Sequence, residues 1–444
     1  ASSEPLKRTK PEPIPGPAFG KTKMIPANPE DWPAFRSDSG RSGGTTSRLP
    51  KSLARAWTTK LNGPLTSPIA VGKRVYVAEI DRHTVYALDA ATGKTLWRYT
   101  AGGRVDSPPT YAKGKLVFGP ADGWVTCLRA GDGELVWRFP AAPAQRLIGS
   151  FNQLESAWPV HGSVLVLGDT VYCAAGRSSY LDGGIRLCAL DLESGELRHQ
   201  AELEGPEIDL ENPAWVAGYN DIGGRGALPD ILQTAGSRIC MRNRSFDREL
   251  QPSADPAPDH LQPLGGFLDD TYFKRYYWFY GQPMHRSVYA AMAKPKITEE
   301  QMATGLAQLL VRDRDALYGM RMFDSMKLLN ANNYFVPGKE GYLLFKVTPG
   351  QGEPAWTQRV PVRVTAMAVT PDRLIIAGPP DVVDPKEPLG AFEARKGGQL
   401  KLLSTQDGKV LEAHTLPAPP AFHGVAVAHG RLFVSMQDGH VIGF

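Results

Sequence analysis

Short apolar runs rich in β-branched residues alternate with Gly-centred polar turns along most of the chain. The clearest unit is VYALDAATGKTLW, Val85 to Trp97, which returns about forty residues later as VTCLRAGDGELVW, Val125 to Trp137. RLCALDLESGELRH (186–199) is a third copy and KLLSTQDGKVLE (401–412) a fainter fourth. Self-similarity at this spacing marks propellers and solenoids. Ahead of each unit lies a polar turn and a strand-like run, as in GKRVYVAEI (72–80), GDTVYCAAG (168–176) and GRLFVSMQDG (430–439). A further apolar run, such as SPIAV, PPTYA or GVAVA, precedes that. The predicted order is strand A, tight turn, strand B, loop, strand C, Gly turn, strand D. Four antiparallel strands of this kind make one propeller blade.

Good copies occupy about 66–99, 104–140, 160–200 and 363–415, and degenerate ones fit 228–247, 263–281 and 308–360. The last run, 422–444, supplies strands A to C, and LARAWTTKL (53–61) is expected to supply its missing strand D. Closure of that kind removes the free edges that invite aggregation. The expected fold is therefore an all-β propeller of eight four-stranded blades, with seven as the nearest alternative. Gly in the ATGK, GDGE, ESGE and QDGK turns suits a tight hairpin that needs φ > 0. The Trp after it is expected to pack between blades. An insert around 286–307 interrupts the pattern, and ITEEQMATGLAQLL (297–310) begins like a helix with acidic residues in its first turn. The aromatic run YFKRYYWFYG (272–281) reads as filler for a joint between blades, with a stacking platform as the alternative.

Composition adds bounds. The 444 residues, with 46 Gly and 38 Pro, suit many turns between short strands. A net charge of +4 gives no case for nucleic acid, which would need a clustered basic face. No apolar run reaches the roughly 18 residues of a spanning helix. Residues 1–30 are Pro/Lys-rich and read as a tether, 31–52 as a lead-in to the propeller. A tether of this kind suggests an exported, periplasmic or cell-surface protein, although no signal is present in the sequence. Cys127, Cys173, Cys188 and Cys240 form no CxxC and no adjacent pair. Cys173 and Cys188 fall on neighbouring strands, where they either bridge or stay as buried thiols.

The ALDAATGKTLW and DGELVW turns resemble the repeats of the pyrroloquinoline-quinone dehydrogenase propellers. They are equally similar to the propeller lipoprotein of the bacterial outer-membrane assembly machine. DWPAFRSDSGRSG, LESAWPVHGSVLV, GRSSYLDGGI and GGFLDDTYFKRYYWFYG resemble a bacterial subgroup of quinone-binding-like propellers. The resemblance covers roughly 53–444. For the quinone enzymes it implies an adjacent Cys pair, an aromatic floor and a calcium ion held by carboxylate and amide. This chain lacks the adjacent pair, so no cofactor is assigned, and quinone or calcium stays open.

In such a ring the D–A and B–C loops share the face around the channel mouth, and here those loops are long. Long loops on a rigid scaffold are where function concentrates. They carry Arg82, His83, Arg104, Asp106, Asp122, Trp124, Glu155, Trp158, His161, Arg177, Tyr180, Asp182 and Arg186. His161 and His423 occupy equivalent places, each opening an innermost strand as HG, and are expected to look into the channel together. Three readings follow. In the first, the mouth binds a small molecule, glycan, peptide or protein partner without chemistry, using His83, Asp106, Asp122, Trp124, Glu155, Trp158, Asp182, Arg186 and His423. In the second it is a lyase on uronate-containing polysaccharide, with His161 or Tyr180 as base and Arg104 or Arg177 on the carboxylate. In the third it is a redox enzyme using a quinone or a metal. The nine His show no HxH or HExxH spacing. Binding is preferred, because only geometry can promote these residues to catalysts.

Overall fold

A computed structural model describes residues 10–205, 231–242, 244–253, 257–263, 278–281, 305, 307–321, 338–351, 353–391 and 393–444. Strands dominate these residues, and all paired strands are antiparallel. Consecutive sheets follow the chain. The first comprises Ile69–Val71, Arg74–Glu79, Thr84–Asp89 and Thr95–Thr100, the second Thr110–Ala112 to Leu135–Pro140, and the third Leu165–Leu167 to Leu197–Leu203. The sixth (Leu309–Arg312 to Trp356–Val360) and seventh (Ala366–Val369 to Val410–Leu416) are also four-stranded meanders. Between third and sixth lie a three-stranded sheet, Gln233–Ala235 to Arg244–Phe246, and a strand pair, His260–Pro263 with Trp278–Gly281.

The last sheet joins an early strand to the final strands of the chain. Pro420–Ala428, Arg431–Met436 and His440–Gly443 form its inner part, and Trp57–Lys60 pairs antiparallel with His440–Gly443 as its outer strand. The register runs Trp57 to Gly443 and Lys60 to His440.

Alternating direction puts every A–B and C–D turn on one face and every B–C and D–A loop on the other. The C–D turns are joined to the neighbouring sheet by a repeated contact. Gly93, Gly133, Gly195 and Gly408 all have positive φ, and a Cβ on them would overlap the indole of Trp57, Trp97, Trp137 and Trp356 respectively. Each indole N–H donates to a carbonyl of the turn it covers: Ala90 at 3.1 Å, Ala130 at 3.2 Å, Leu192 at 3.0 Å and Thr405 at 3.2 Å. Gly therefore satisfies two demands, the left-handed turn and the close approach of an indole.

The stretch read as a tether is partly packed: Ile14–Pro15 adds a fifth strand to the outer edge of the second sheet. The lead-in goes further and plugs the ring. Trp32 bridges Ala70, the Tyr111 amide donates to the Pro33 carbonyl, and Gly43–Thr45 pairs with Val369. Arg41, fully buried, donates to the carbonyls of Leu232 (3.0 Å), Phe35 (3.1 Å) and Val164 (3.3 Å). Most of the insert at 286–307 and of the helix expected at 297–310 lies outside the described residues. Leu309 and Leu310 at the end of that run belong to a strand, because the sixth sheet takes them as its inner edge. The aromatic run is described only at Trp278–Gly281, also a strand.

Candidate functional site

The mouth is organised by a two-stranded hairpin, Leu147–Ser150 with Gln153–Ser156, inserted between the second and third sheets. Its turn residues Phe151 and Asn152 both have positive φ, as a tight two-residue hairpin turn requires. Phe is a poor residue for that conformation, and its ring has compensation: the Arg104 guanidinium lies 3.8 Å from its centroid. The hairpin also reaches the first sheet. Gln153 Oε1 lies 2.6 Å from His83 Nε2, and Gln153 Nε2 donates to the Asp81 carbonyl at 3.2 Å.

At the hairpin sit two ion pairs, one buried and one with a part-exposed Arg. Arg104 bonds Asp106, and Arg177 donates to Glu155 at 2.8 Å. Arg104, Asp106 and Glu155 are each less than a tenth exposed. Burial raises the Asp106 carboxyl, opposed by Arg104 and reinforced by the nearby charges of Glu155 and Asp81. Four polar atoms of this group, Arg104 Nε, Asp106 Oδ2, Glu155 Oε2 and Arg177 Nε, have no hydrogen-bond partner among the described residues. Asp122 is raised by burial as well, while Arg138 holds it at 2.7 Å and stacks on Trp124 at 4.7 Å. A cleft of about 480 Å³ opens alongside, walled by Asp81, Arg82, His83 and Tyr86.

The remaining predicted residues divide. Trp158 is buried and donates to the Asp182 carbonyl at 3.1 Å, while the Asp182 carboxylate takes Arg146 at 2.7 Å. Tyr180 is half-buried, packed against Gly205. His161 is buried just before the inner strand of the third sheet. Arg186 lies in that sheet, bonded to Gln200 at 2.7 Å.

His423 stands apart from this group. Its Nδ1 lies 3.2 Å from Arg36 Nη1, and its ring makes edge contacts with Phe35 and Trp278. Burial, then Arg36, holds its pKa well below the ordinary value. The sequence reading missed Arg36 and Arg41, although it quoted DWPAFRSDSGRSG. Arg36 stacks on Trp278 at 3.9 Å, donates to the Arg41 and Leu310 carbonyls, and is lowered by burial to about 9. The signal available was an Arg pair inside a Gly/Ser stretch with no nearby strand to pair with.

The four Cys stand apart in the sequence, so none forms the adjacent pair that the quinone enzymes imply. Cys173 and Cys188 are free thiols facing each other across two strands in the core between the second and third sheets, not at the channel. Arg36 stacks on the Trp278 ring. No three His, Cys, Asp or Glu side chains converge to hold a metal among the described residues.

Residues 40–229 match the family model described as "Outer membrane protein assembly factor BamB". That factor from Moranella endobia is 35% identical over 85 residues, 19% of this chain and 21% of that protein. The dehydrogenase subunit of a quinone alcohol dehydrogenase from Gluconacetobacter polyoxogenes is 28% identical over 160 residues, 33% of this chain and again 21% of the relative. The chain resembles both groups. Its matched parts span 21% of the length of each of these two relatives. The quinohemoprotein alcohol dehydrogenase of Comamonas testosteroni superimposes with a TM-score of 0.58 at 15% identity, over 94% of this chain and 81% of that one. At that identity the likeness establishes the fold. No helix among the described residues is long and apolar enough to cross a membrane.

Proposed function

We propose that this is an extracytoplasmic, eight-bladed propeller that docks a partner protein at its mouth, without chemistry of its own. The observation that carries the reading is the hairpin. Its turn end is held by His83 of the first sheet and by Arg104 of the loop that follows, while Leu147, Phe151 and Leu154 are each more than half exposed. Leu181, from the adjoining B–C loop, is exposed as well. Apolar side chains held in water on a rigid support mark an interaction surface. The ion pairs Arg104–Asp106, Arg177–Glu155 and Arg146–Asp182 then serve to position loops. Relatives named as assembly factors agree with a docking role.

A photo-crosslinker at Leu181 in a bacterial host tests this. One discrete adduct is expected, lost when Leu147 and Leu154 are both changed to Asp while the thermal midpoint holds. An adduct that persists in that variant overturns the reading. Relatives named as quinone alcohol dehydrogenases make oxidoreductase chemistry the second reading. Quinone-dependent dye reduction with ethanol by the purified chain would establish it. Unsaturated product from polygalacturonate, lost in His161→Ala or Tyr180→Phe, would instead make the mouth a lyase site.

A further inference from the structure

All four cysteines are buried, and strand register decides which of them can react together. Cys127 stands opposite Val117 on one side and Trp137 on the other. Cys240 stands opposite Gln233 and Ser245. Cys173 and Cys188 stand opposite each other, on Thr170–Ala175 and Ile185–Asp191 of the third sheet. Directly opposed residues of an antiparallel pair have Cα atoms about 4.5–5.5 Å apart, inside the range of about 4.4–6.8 Å that a disulfide spans. Their side chains leave the sheet on the same face, into the core shared with the second sheet. The two thiols also hydrogen-bond each other, which raises Cys173 and lowers Cys188, and Arg186 adds to the lowering. The more acidic thiol of such a pair is the one that attacks a disulfide.

The chain between the two cysteines is a mouth loop. Residues 176–184 include the exposed Leu181, and they are held through Arg177 to Glu155 and through Asp182 to Arg146 and Trp158. A covalent bond at the foot of this loop would close a ring of about 15 residues and restrict the unfolded chain.

We propose that Cys173 and Cys188 are a disulfide site, closing into a bond when the chain folds in an oxidising compartment. The inference rests on the extracytoplasmic part of the reading above, because such bonds persist where thiols are not kept reduced. The oxidant is itself a disulfide, of an oxidised thiol oxidoreductase or of glutathione. The Cys188 thiolate attacks it, forming a mixed disulfide and releasing one thiol. Cys173 then gives up its proton and displaces the second. One S–S bond breaks as another forms, and two electrons and two protons end on the two thiols of the spent oxidant. Both sulfurs are buried in the finished fold, so closure belongs to folding, before the second and third sheets meet.

The full chain made in a bacterial host with an export signal, and again without one, tests this by maleimide mass shift in denaturant. Two reactive thiols are expected in the exported chain and four in the cytoplasmic one, with a Cys173–Cys188 peptide in the unreduced digest of the first. Cys188→Ala should abolish that peptide. The double variant Cys127→Ala/Cys240→Ala should keep it, and holds the test decisive if Cys188→Ala fails to fold. The cytoplasmic chain, refolded from urea in a glutathione redox buffer, should gain the same link, and reduction should then lower its thermal midpoint by several degrees. Four free thiols in an exported or refolded chain of native circular dichroism, or a link through Cys127 or Cys240, overturns the proposal. The link without any adduct at Leu181 sinks the docking reading and upholds this one; four free thiols beside an intact adduct do the reverse.

Discussion

The two faces of the ring are built by opposite strategies. On the turn face one contact is used four times: an outer-strand indole slides beneath the Gly turn of the next sheet and donates to its carbonyl. On the mouth face the ion pairs of the described residues do not repeat one another. Arg104–Asp106, Arg177–Glu155, Arg138–Asp122 and Arg146–Asp182 each have a different geometry and burial. Repetition marks what holds the ring together, and departure from it marks where a specific role can reside. Apolar joints tolerate copying because packing is non-directional. Buried charges do not, since each needs its own partner.

If that division is right, the largest effects belong to the joints. Trp137→Ala removes a fully buried indole and its bond to Leu192, and should cost about 3–5 kcal/mol in denaturant unfolding. Trp97→Ala, at a half-buried indole, should cost clearly less; equal costs would break the picture of graded joints. Gly133→Ala forces a left-handed residue with a Cβ into Trp97, for about 2–3 kcal/mol. The mouth should respond differently. Arg177→Ala strands the buried Glu155 carboxylate, at about 2 kcal/mol after allowance for the part-exposed Arg177. Adding Glu155→Gln should restore most of that, and a double-mutant cycle without coupling would deny the pair.

Acid stability probes the plug. His423 is neutral in the fold, with its pKa held well below the ordinary value by burial and by Arg36. In the unfolded chain it titrates near 6.5. Protons therefore bind the unfolded state first, so this group's contribution is complete above about pH 6.5 and is lost as pH falls below it. His423→Gln should flatten the fall in thermal midpoint between pH 7 and pH 5. Smallest of all, Arg129→Gln, on the solvent side of a C–D turn with Asp132 and Glu134, should leave stability unchanged within error.

The joints were readable from the sequence because Gly93, Gly133 and Gly195 recur at a fixed offset from an outer-strand position, and recurrence is visible in a string. Structure supplies the pairing: Gly93 packs against Trp57, while Trp97 covers the turn of the following sheet. Strand D of the last sheet was legible for the same reason, as LARAWTTKL fits the missing slot. The mouth loops were assigned to their face by alternation alone, and His83, Arg104 and Glu155 do meet around one hairpin. Their partners were not legible. Gln153, Phe151 and Arg138 touch them through contacts between residues far apart in the chain, with no periodic signal. The plug was invisible because Gly- and Ser-rich sequence without alternation reads as a connector. His423 and His161 were expected to look into the channel together from their equivalent places; the Arg36 that meets the His423 ring nitrogen comes from this unread segment.

The plug has a consequence for assembly. Residues 32–45 precede most of the strands, and residues spread along the described chain meet them: Ala70, Tyr111, Val164, Leu232, Trp278, Leu310, Val369 and His423 all touch this one segment. Each sheet can dock on it as synthesis proceeds, so the segment acts as a mandrel around which the ring is wound. Closing a ring through Trp57–Lys60 and His440–Gly443 brings together strands from opposite ends of the chain, a slow step in a fold of high contact order. A mandrel keeps the half-finished ring curved while it waits.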